Sequence, residues 1–250
     1  MRHPEQWKPS KYVLRGGSLR ASRDREQVGI GSRLVADAVA ALYARHLPAV
    51  ARGRLVDLGC GQVPLYATYR PHVQSVTCVD WPGSPHAGTH VDQLADLGER
   101  LPFDDASFDT VLLSDVLEHV PQPQRLCGEI ARLLAPQGRL VANVPFLYGL
   151  HELPHDYFRF TEFALRYLAR ETGLRVDLLA PVGGSAEVFA DFCAKHLARL
   201  PIAGAPMAAA LQAVVTAFGR TLAGQTAMRR SAARFPLGYF LIATKAEAIA

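Results

Sequence analysis

Residues 55–65 read LVDLGCGQVPL, and this stretch decides how the rest of the chain is read. Leu55 to Leu58 form a short apolar run carrying one carboxylate, Asp57; Gly59, Cys60 and Gly61 follow, and Pro64 stands where a helix can open. A short apolar run closed by glycine reads as a buried strand. Glycines free the turn for left-handed backbone and let a ligand approach the main chain closely. Strand, glycine turn and helix in succession is how an open α/β sheet receives a nucleotide-like ligand at the carboxyl ends of its strands.

The same alternation extends both ways. Helical spacing runs over 32–47, with Ser32 as the expected N-cap, and a short helix is expected over 64–70. SVTCVD (75–80) is a second strand ending in Asp80, THVDQL (89–94) a short third, and SFDTVLLSDV (107–116) contains a fourth. A helix is expected over 121–138, ended by Pro136 and Gly138, and a fifth strand over 138–146. Residues 161–173 read as a helix capped by Thr161 and stopped by Gly173; 174–181 and 236–246 are the sixth and seventh strands. The pattern predicts an α/β fold with a mostly parallel sheet covered on both faces. The expected organisation is a single domain: a basic N-terminal arm and helix (1–50), a Rossmann-like cofactor-binding core (51–182), a helical insertion (183–232) and a final strand completing the sheet (233–250).

The 250 residues, 49% of them hydrophobic, suffice for one large core. Cys60, Cys78, Cys127 and Cys193 make no CxxC pair, and the N-terminus carries no apolar signal core, so a reducing, cytoplasmic setting is expected. Charge is uneven: residues 1–33 hold eight Lys/Arg against three acids, and residues 192–246 hold seven Lys/Arg and no acid. An anionic partner and a plain solvated basic face both account for this.

The carboxylates narrow the ligand. Asp80, at the end of a strand, suits a ribose diol, because a carboxylate accepts two hydrogen bonds. Asp96 lies beyond the third strand. No G-x-x-x-x-G-K-[ST] loop for gripping phosphate is present, and Asp57 would repel a phosphate but suit an ammonium group. Ammonium, ribose and adenine without phosphate describe S-adenosylmethionine.

Four blocks between about residue 54 and 146, LVDLGCG, CVDW, ADLGERLPFDDASFDTVLLSDVLEHV and EIARLLAPQGRLVANVPF, stand in an order and spacing that resemble the class I S-adenosylmethionine-dependent methyltransferases of the type 11 kind. The resemblance implies a Rossmann-like, doubly wound, seven-stranded sheet with an antiparallel last strand. It implies Asp57, Gly59 and Gly61 against the methionine part of the cofactor, Asp80 on the ribose and Trp81 flanking the adenine. It puts Asp96 and Leu97 at the adenine edge and Ser114 beside the site after the fourth strand. The family often has a third glycine where this chain has Val63. His119 of LEHV belongs to the family pattern, with packing or capping as its expected role.

HELPH (151–155) matches H-E-x-x-H literally, but that zinc motif needs both histidines on one face of a helix. Pro154 inside it would cost a helix about 3 kcal/mol, and Leu153 before it is pushed out of helical geometry. The stretch reads as a loop, with no metal assigned. The surrounding FLYGLHELPHDYFRFTEF (146–163) follows the fifth strand and should overhang the crevice. Methyl transfer from a sulfonium relies mainly on alignment, but a hydroxyl acceptor benefits from a base. His155 is the first candidate, His151 the second, and Asp156 the orienter or alternative.

Asn143-Val144-Pro145-Phe146 looks like the amino-methyltransferase signature but follows the fifth strand instead of the fourth, which disfavours nucleic acid as acceptor. The expected function is methyl transfer to a small-molecule, saccharide or lipid-linked acceptor, on oxygen. An RNA methyltransferase, a zinc hydrolase and a non-catalytic cofactor-binding module are the alternatives, and the oligomeric state stays open. In the insertion, Met207, Ala210, Leu211, Val214, Val215 and Phe218 share one helix face, expected to dock on the chain's own domain. Arg220, Arg229, Arg230 and Arg234 make peripheral contact of 200–234 with an anionic membrane, or with a lipid-linked phosphate, the second option.

Overall fold

The computed structural model describes residues 1–86 and 88–246. The chain opens with a hairpin of β1 (Tyr12–Arg15) and β2 (Ser18–Ala21), antiparallel about Gly16 and Gly17, both at positive φ. After α1 (Arg33–Val50) come β3 (Arg54–Leu58), α2 (Tyr66–Tyr69), β4 (Ser75–Asp80), β5 (Gln93–Leu94), β6 (Phe108–Ser114), α3 (Pro123–Leu133) and β7 (Leu134–Pro145). Then follow α4 (Glu162–Glu171), β8 (Leu174–Val182), the helices α5 (Ser185–Leu197), α6 (Gly204–Arg220) and α7 (Leu222–Ala232), and β9 (Gly238–Lys245). The main sheet has seven strands in the order β5-β4-β3-β6-β7-β9-β8. β3 to β7 pair in parallel, and β9 runs antiparallel between β7 and β8. The order reverses between β3 and β6, so the crevice at the carboxyl ends of these strands is the expected ligand position for such a sheet.

Both faces of the sheet are covered, so its central strands are continuously apolar. Val111 and Leu113 of β6 point into one core with Leu126 and Ile130 of α3 and Leu165 and Leu168 of α4. Leu112 between them points into the other, with Tyr43 and Leu47 of α1 and Tyr12 and Leu19 of the hairpin. Three helices stand between β8 and β9, where the insertion was expected.

Several local expectations differ from the fold. The third strand shrinks to Gln93–Leu94. α3 stops at Leu133, and Leu134 already pairs with Phe108, because Pro136 forces the residue before it into extended backbone. Ser32 does not cap α1 with its side chain; a 3-10 turn (Ile30–Ser32) leads into the helix, and the Leu34 N–H bonds instead to Gln212 Oε1 of α6 at 3.1 Å. Thr161 does cap α4, accepting from Ala164 N, and Gly173 takes positive φ after it. The first part of the 1–50 segment is a built hairpin packed into the core, which the Gly-Gly turn between two short runs signals. Residues 247–250 of the expected 233–250 segment lie outside the described residues.

The face that seats α6 is rotated from the expected one. Gly204, Ala208 and Gln212 are buried and Leu211 and Val215 half-buried, while Met207, Val214 and Phe218 are exposed. Small residues let α6 approach α5 closely: a Cβ on Gly204 would collide with the Leu197 carbonyl. Gln212 then ties α6 to the chain before α1, donating to the Ile30 carbonyl at 2.6 Å.

Candidate active site

The turn after β3 is held by its own backbone and by β4. Gly59 N and Cys60 N both donate to the Val79 carbonyl, at 2.8 and 3.0 Å. Gly59 and Gly61 adopt positive φ, and a Cβ on Gly59 would stand 2.5 Å from Val116 Cγ2 of the segment after β6. Only glycine brings these two loops together. Val63, where the family often has glycine, sits at φ 52 with its side chain fully buried. A branched residue tolerates that backbone poorly, so the buried isopropyl must hold it there.

Asp80 is 3% exposed, and its oxygens accept from Gly61 N at 2.8 Å and Trp81 N at 2.9 Å. Each oxygen keeps a further acceptor site, which fits a diol. Asp57 is buried on β3 beside Tyr69, whose hydroxyl donates to it at 3.3 Å. Burial pushes the Asp57 carboxyl up to about 7. Trp81 is partly exposed; Asp96 is exposed and folds its carboxylate back on Gly98 N. Leu97 sends its side chain into the core, leaving only its main chain to meet a ligand. Ser114 ends β6 at the same edge of the sheet. Among the described residues, two buried acids, an open aromatic and a glycine turn that a Cβ would close make a cradle fit for S-adenosylmethionine.

Beyond Ser114 the chain lines a half-open cavity of about 260 Å³. Apolar walls come from Val28, Val35 and Val39 on the N-terminal side and from Val144, Val182 and Leu237 at the ends of β7, β8 and β9. One wall is polar, with Lys11, Asp115, Asn143, Tyr148, His151 and Glu152. Lys11 Nζ donates to Asp115 Oδ2 at 2.7 Å, and Asn143 Nδ2 donates to Asp115 Oδ1. Burial would raise the Asp115 carboxyl, but the Lys11 ammonium and these hydrogen bonds outweigh it and hold it below its usual range. No sequence signal links Lys11 to Asp115 across 104 residues; Asp115, by contrast, lies inside a family block, as does Glu118.

The 151–155 stretch is a loop, and it separates its histidines. His155 packs edge-on against Trp81, with ring centroids 5.2 Å apart, and its Nδ1 lies 3.1 Å from the Tyr157 hydroxyl. His151 lines the cavity. Asp156 is committed: both oxygens take Arg159, at 2.6 and 2.7 Å, and Oδ2 also accepts from His151 N. Hydrogen bonding to Arg159, in the first place, holds the Asp156 carboxyl far below its usual range. With its oxygens taken by Arg159 and the His151 N–H, it has no basicity to spare. Burial would lower the His151 imidazole, yet Glu118 and Asp156 beside it raise it.

Comparison with known proteins agrees with this geometry. Residues 56–142 match the family described as "Methyltransferase domain". The chain is 30% identical over 164 residues to the ubiquinone biosynthesis O-methyltransferase of Nitrosococcus oceani, spanning 55% of this chain and 70% of that one. It is 30% identical over 136 residues to the protein of the same name from Dechloromonas aromatica, spanning 43% of this chain and 57% of that one. Among solved structures, the (4+2)-cyclase SpnF superposes with a TM-score of 0.55 over 96% of this chain and 87% of its own, at 21% identity. That neighbour shares the fold and carries a different chemistry in its name.

Proposed function

The chain belongs to the class I S-adenosylmethionine-dependent methyltransferases, and from that premise we propose that it methylates a hydroxyl on a small acceptor held in the 260 Å³ cavity. Small molecule, saccharide and the head of a lipid-linked intermediate all remain within this reading. The observation that carries it is the polar wall at the carboxyl ends of β6 and β7, facing otherwise apolar walls. The names of the two relatives support oxygen as the acceptor atom. Bound S-adenosylmethionine supplies an electrophilic methyl group on sulfur, which leaves with the electron pair of the broken bond.

The residues of this chain have three tasks. Asp57, Asp80 and the glycine turn hold the cofactor, with Trp81, Asp96, Leu97 and Ser114 around it. The apolar walls exclude water and fix the acceptor, and alignment of that kind is worth a large part of the barrier. His151 takes the hydroxyl proton as the acceptor oxygen bonds to the methyl carbon, with Asp156 holding the imidazole. His155, the first base expected from sequence, serves better as a wall beside Trp81. Because Lys11 and Tyr12 close the cavity from the N-terminal side, a polynucleotide fits it poorly, and RNA is the lesser reading. Calorimetry with S-adenosylhomocysteine and a methyl-transfer screen of phenols, sugars and transfer RNA test the proposal. Transfer to RNA alone would overturn the acceptor class.

A second partner reading concerns the surface. Phe189, Phe192, Ile202, Val214, Phe218 and Leu222 of α5 to α7 and their loops are exposed, beside Arg220, Arg229 and Arg230. Apolar side chains with cations, and no acid from 192 to 246, favour an anionic membrane surface as the peripheral partner. Among the described residues no helix is long and apolar enough to cross a membrane.

A further inference from the structure

Glu118 lies in the short turn after β6, wholly buried, and neither carboxylate oxygen has a hydrogen-bond partner among the described residues. A buried carboxylate left in that state costs folding free energy unless something else meets it. Two imidazole nitrogens do approach it. His119 Nε2 and His151 Nε2 each stand 3.6 Å from Glu118 Oε1, too far for a hydrogen bond.

The other ring nitrogens show what those atoms carry. His119 Nδ1 lies 2.6 Å from the His155 carbonyl. His151 Nδ1 lies 3.3 Å from the Gly149 carbonyl and 3.3 Å from Asp156 Oδ2. Carbonyl and carboxylate oxygens only accept, so both Nδ1 atoms carry the proton. In the neutral rings both Nε2 atoms therefore present lone pairs, within 4.8 Å of each other and of Glu118 Oε1. Lone pairs this close repel unless a proton or a metal cation stands between them. His119 Nε2 is itself buried without a partner.

The spacing suits an ion. Around a tetrahedral zinc with bonds of about 2.1 Å, ligand atoms stand roughly 3.4 Å apart. Here the three atoms lie within 4.8 Å of one another, with the two Glu118 contacts at 3.6 Å. The second layer is of the kind that orients metal-bound histidines, each Nδ1–H held by an oxygen. Glu152 Oε2, 3.9 Å from His119 Nε2, is a candidate further ligand on the cavity side.

We propose that Glu118, His119 and His151 bind one divalent transition-metal ion, zinc or a similar ion, at the cavity wall. Two histidines and one carboxylate leave coordination positions open, and His151 turns them toward the proposed acceptor. This deepens the hydroxyl-methylation reading and rests on it for its purpose: an acceptor oxygen bound to the ion would lose its proton more easily. With the ion bound, His151 acts through its ligand bond and no longer as the base, since the same lone pair cannot also take a proton; the proton leaving the acceptor oxygen then passes to solvent by way of the exposed Glu152 carboxylate on the cavity wall. The histidine of HELPH that matters is thus paired with the LEH turn, 32 residues upstream, and not with His155.

The full chain is stripped with chelator, incubated with zinc chloride, dialysed and assayed by elemental analysis, with cobalt spectra as a second readout. About one zinc per chain is expected, with cobalt bands of a low-coordinate site. Glu118→Gln and His151→Ala should each weaken binding at least about tenfold, whereas His155→Ala keeps it. S-adenosylhomocysteine affinity in Glu118→Gln and His151→Ala should stay within a few-fold, and His155→Ala should keep a cooperative thermal transition, which shows that all three fold. No metal on a wild type that binds S-adenosylhomocysteine would overturn the proposal. Equal loss in His155→Ala would do so too, because that pattern belongs to the helical H-E-x-x-H site. A wild type that binds zinc but no S-adenosylhomocysteine would leave the metal site standing and sink the methyltransferase reading instead.

Discussion

At the scale of single residues, Asp57 sets a pH dependence. Its carboxyl is raised to about 7 by burial, with only the Tyr69 hydroxyl opposing and Asp80 adding to the rise. A carboxyl raised on folding favours the folded state below its unfolded value, and that contribution fades as pH climbs through the folded one. Ligand-free protein should therefore lose stability between about pH 4 and 7, by up to about 4 kcal/mol, and Asp57→Asn should flatten this loss. Cofactor binding runs the other way. An ammonium group beside Asp57 needs the carboxylate, so S-adenosylhomocysteine affinity should rise with pH up to about 7 and level off, by at most about tenfold per unit. Calorimetry from pH 5.5 to 8 checks this; a flat profile in the wild type would remove Asp57 from the ammonium. Asp80→Ala should weaken S-adenosylhomocysteine binding strongly at every pH, because it removes the diol acceptor and unties the Gly61 and Trp81 N–H groups together.

At the scale of elements, Gly59 is the tight point of the β3 turn. Gly59→Ala meets both an unfavourable φ of 71 and the Val116 side chain, so it should cost about 2 kcal/mol and most of the cofactor affinity. In the double substitution Gly59→Ala/Val116→Ala the contact is relieved, and part of the stability, read as Tm, should return. The β1–β2 hairpin is the second such element. It carries Lys11 onto Asp115 and Tyr12 into the core, and so closes the cavity. Lys11→Met should leave S-adenosylhomocysteine binding within a few-fold, because Lys11 touches none of the cofactor residues. It should lower turnover by raising KM for the acceptor. Unchanged KM would argue against the cavity as the acceptor site.

At the scale of the whole molecule, the insertion puts its small residues inward and its large ones outward. Ile202 is fully exposed and Leu222 nearly so, on a surface without acids from 192 to 246. The protein should sediment with vesicles containing phosphatidylglycerol and not with phosphatidylcholine alone, and 0.5 M salt should weaken the contact. Arg229→Glu/Arg230→Glu should abolish it while leaving S-adenosylhomocysteine affinity intact. Equal binding to neutral vesicles would point to the apolar residues alone, and no binding with a dimer in solution would assign this face to a second copy.

The succession of strands and helices, the glycine turn after β3 and the loop character of HELPH were legible in the sequence from local causes: glycine and proline backbone restrictions and the alternation of apolar runs. The antiparallel β9 came only with the resemblance to the methyltransferase family, and the order of the strands in the sheet came from the structure. The sequence also showed that the insertion exists, but its docked face is rotated from the expected one. Hydrophobicity favours Met207, Val214 and Phe218 inward, whereas close approach of two helices selects Gly204, Ala208 and Gln212. Which histidine faces the cavity was equally beyond reach, because three residues of irregular loop separate His151 from His155 and no periodicity orients them. Lys11 with Asp115, and Glu118 with His119 and His151, meet only through the tertiary structure. Their contacts span 104 and 33 residues, and long-range pairing of that kind is decided by packing, which leaves no local trace.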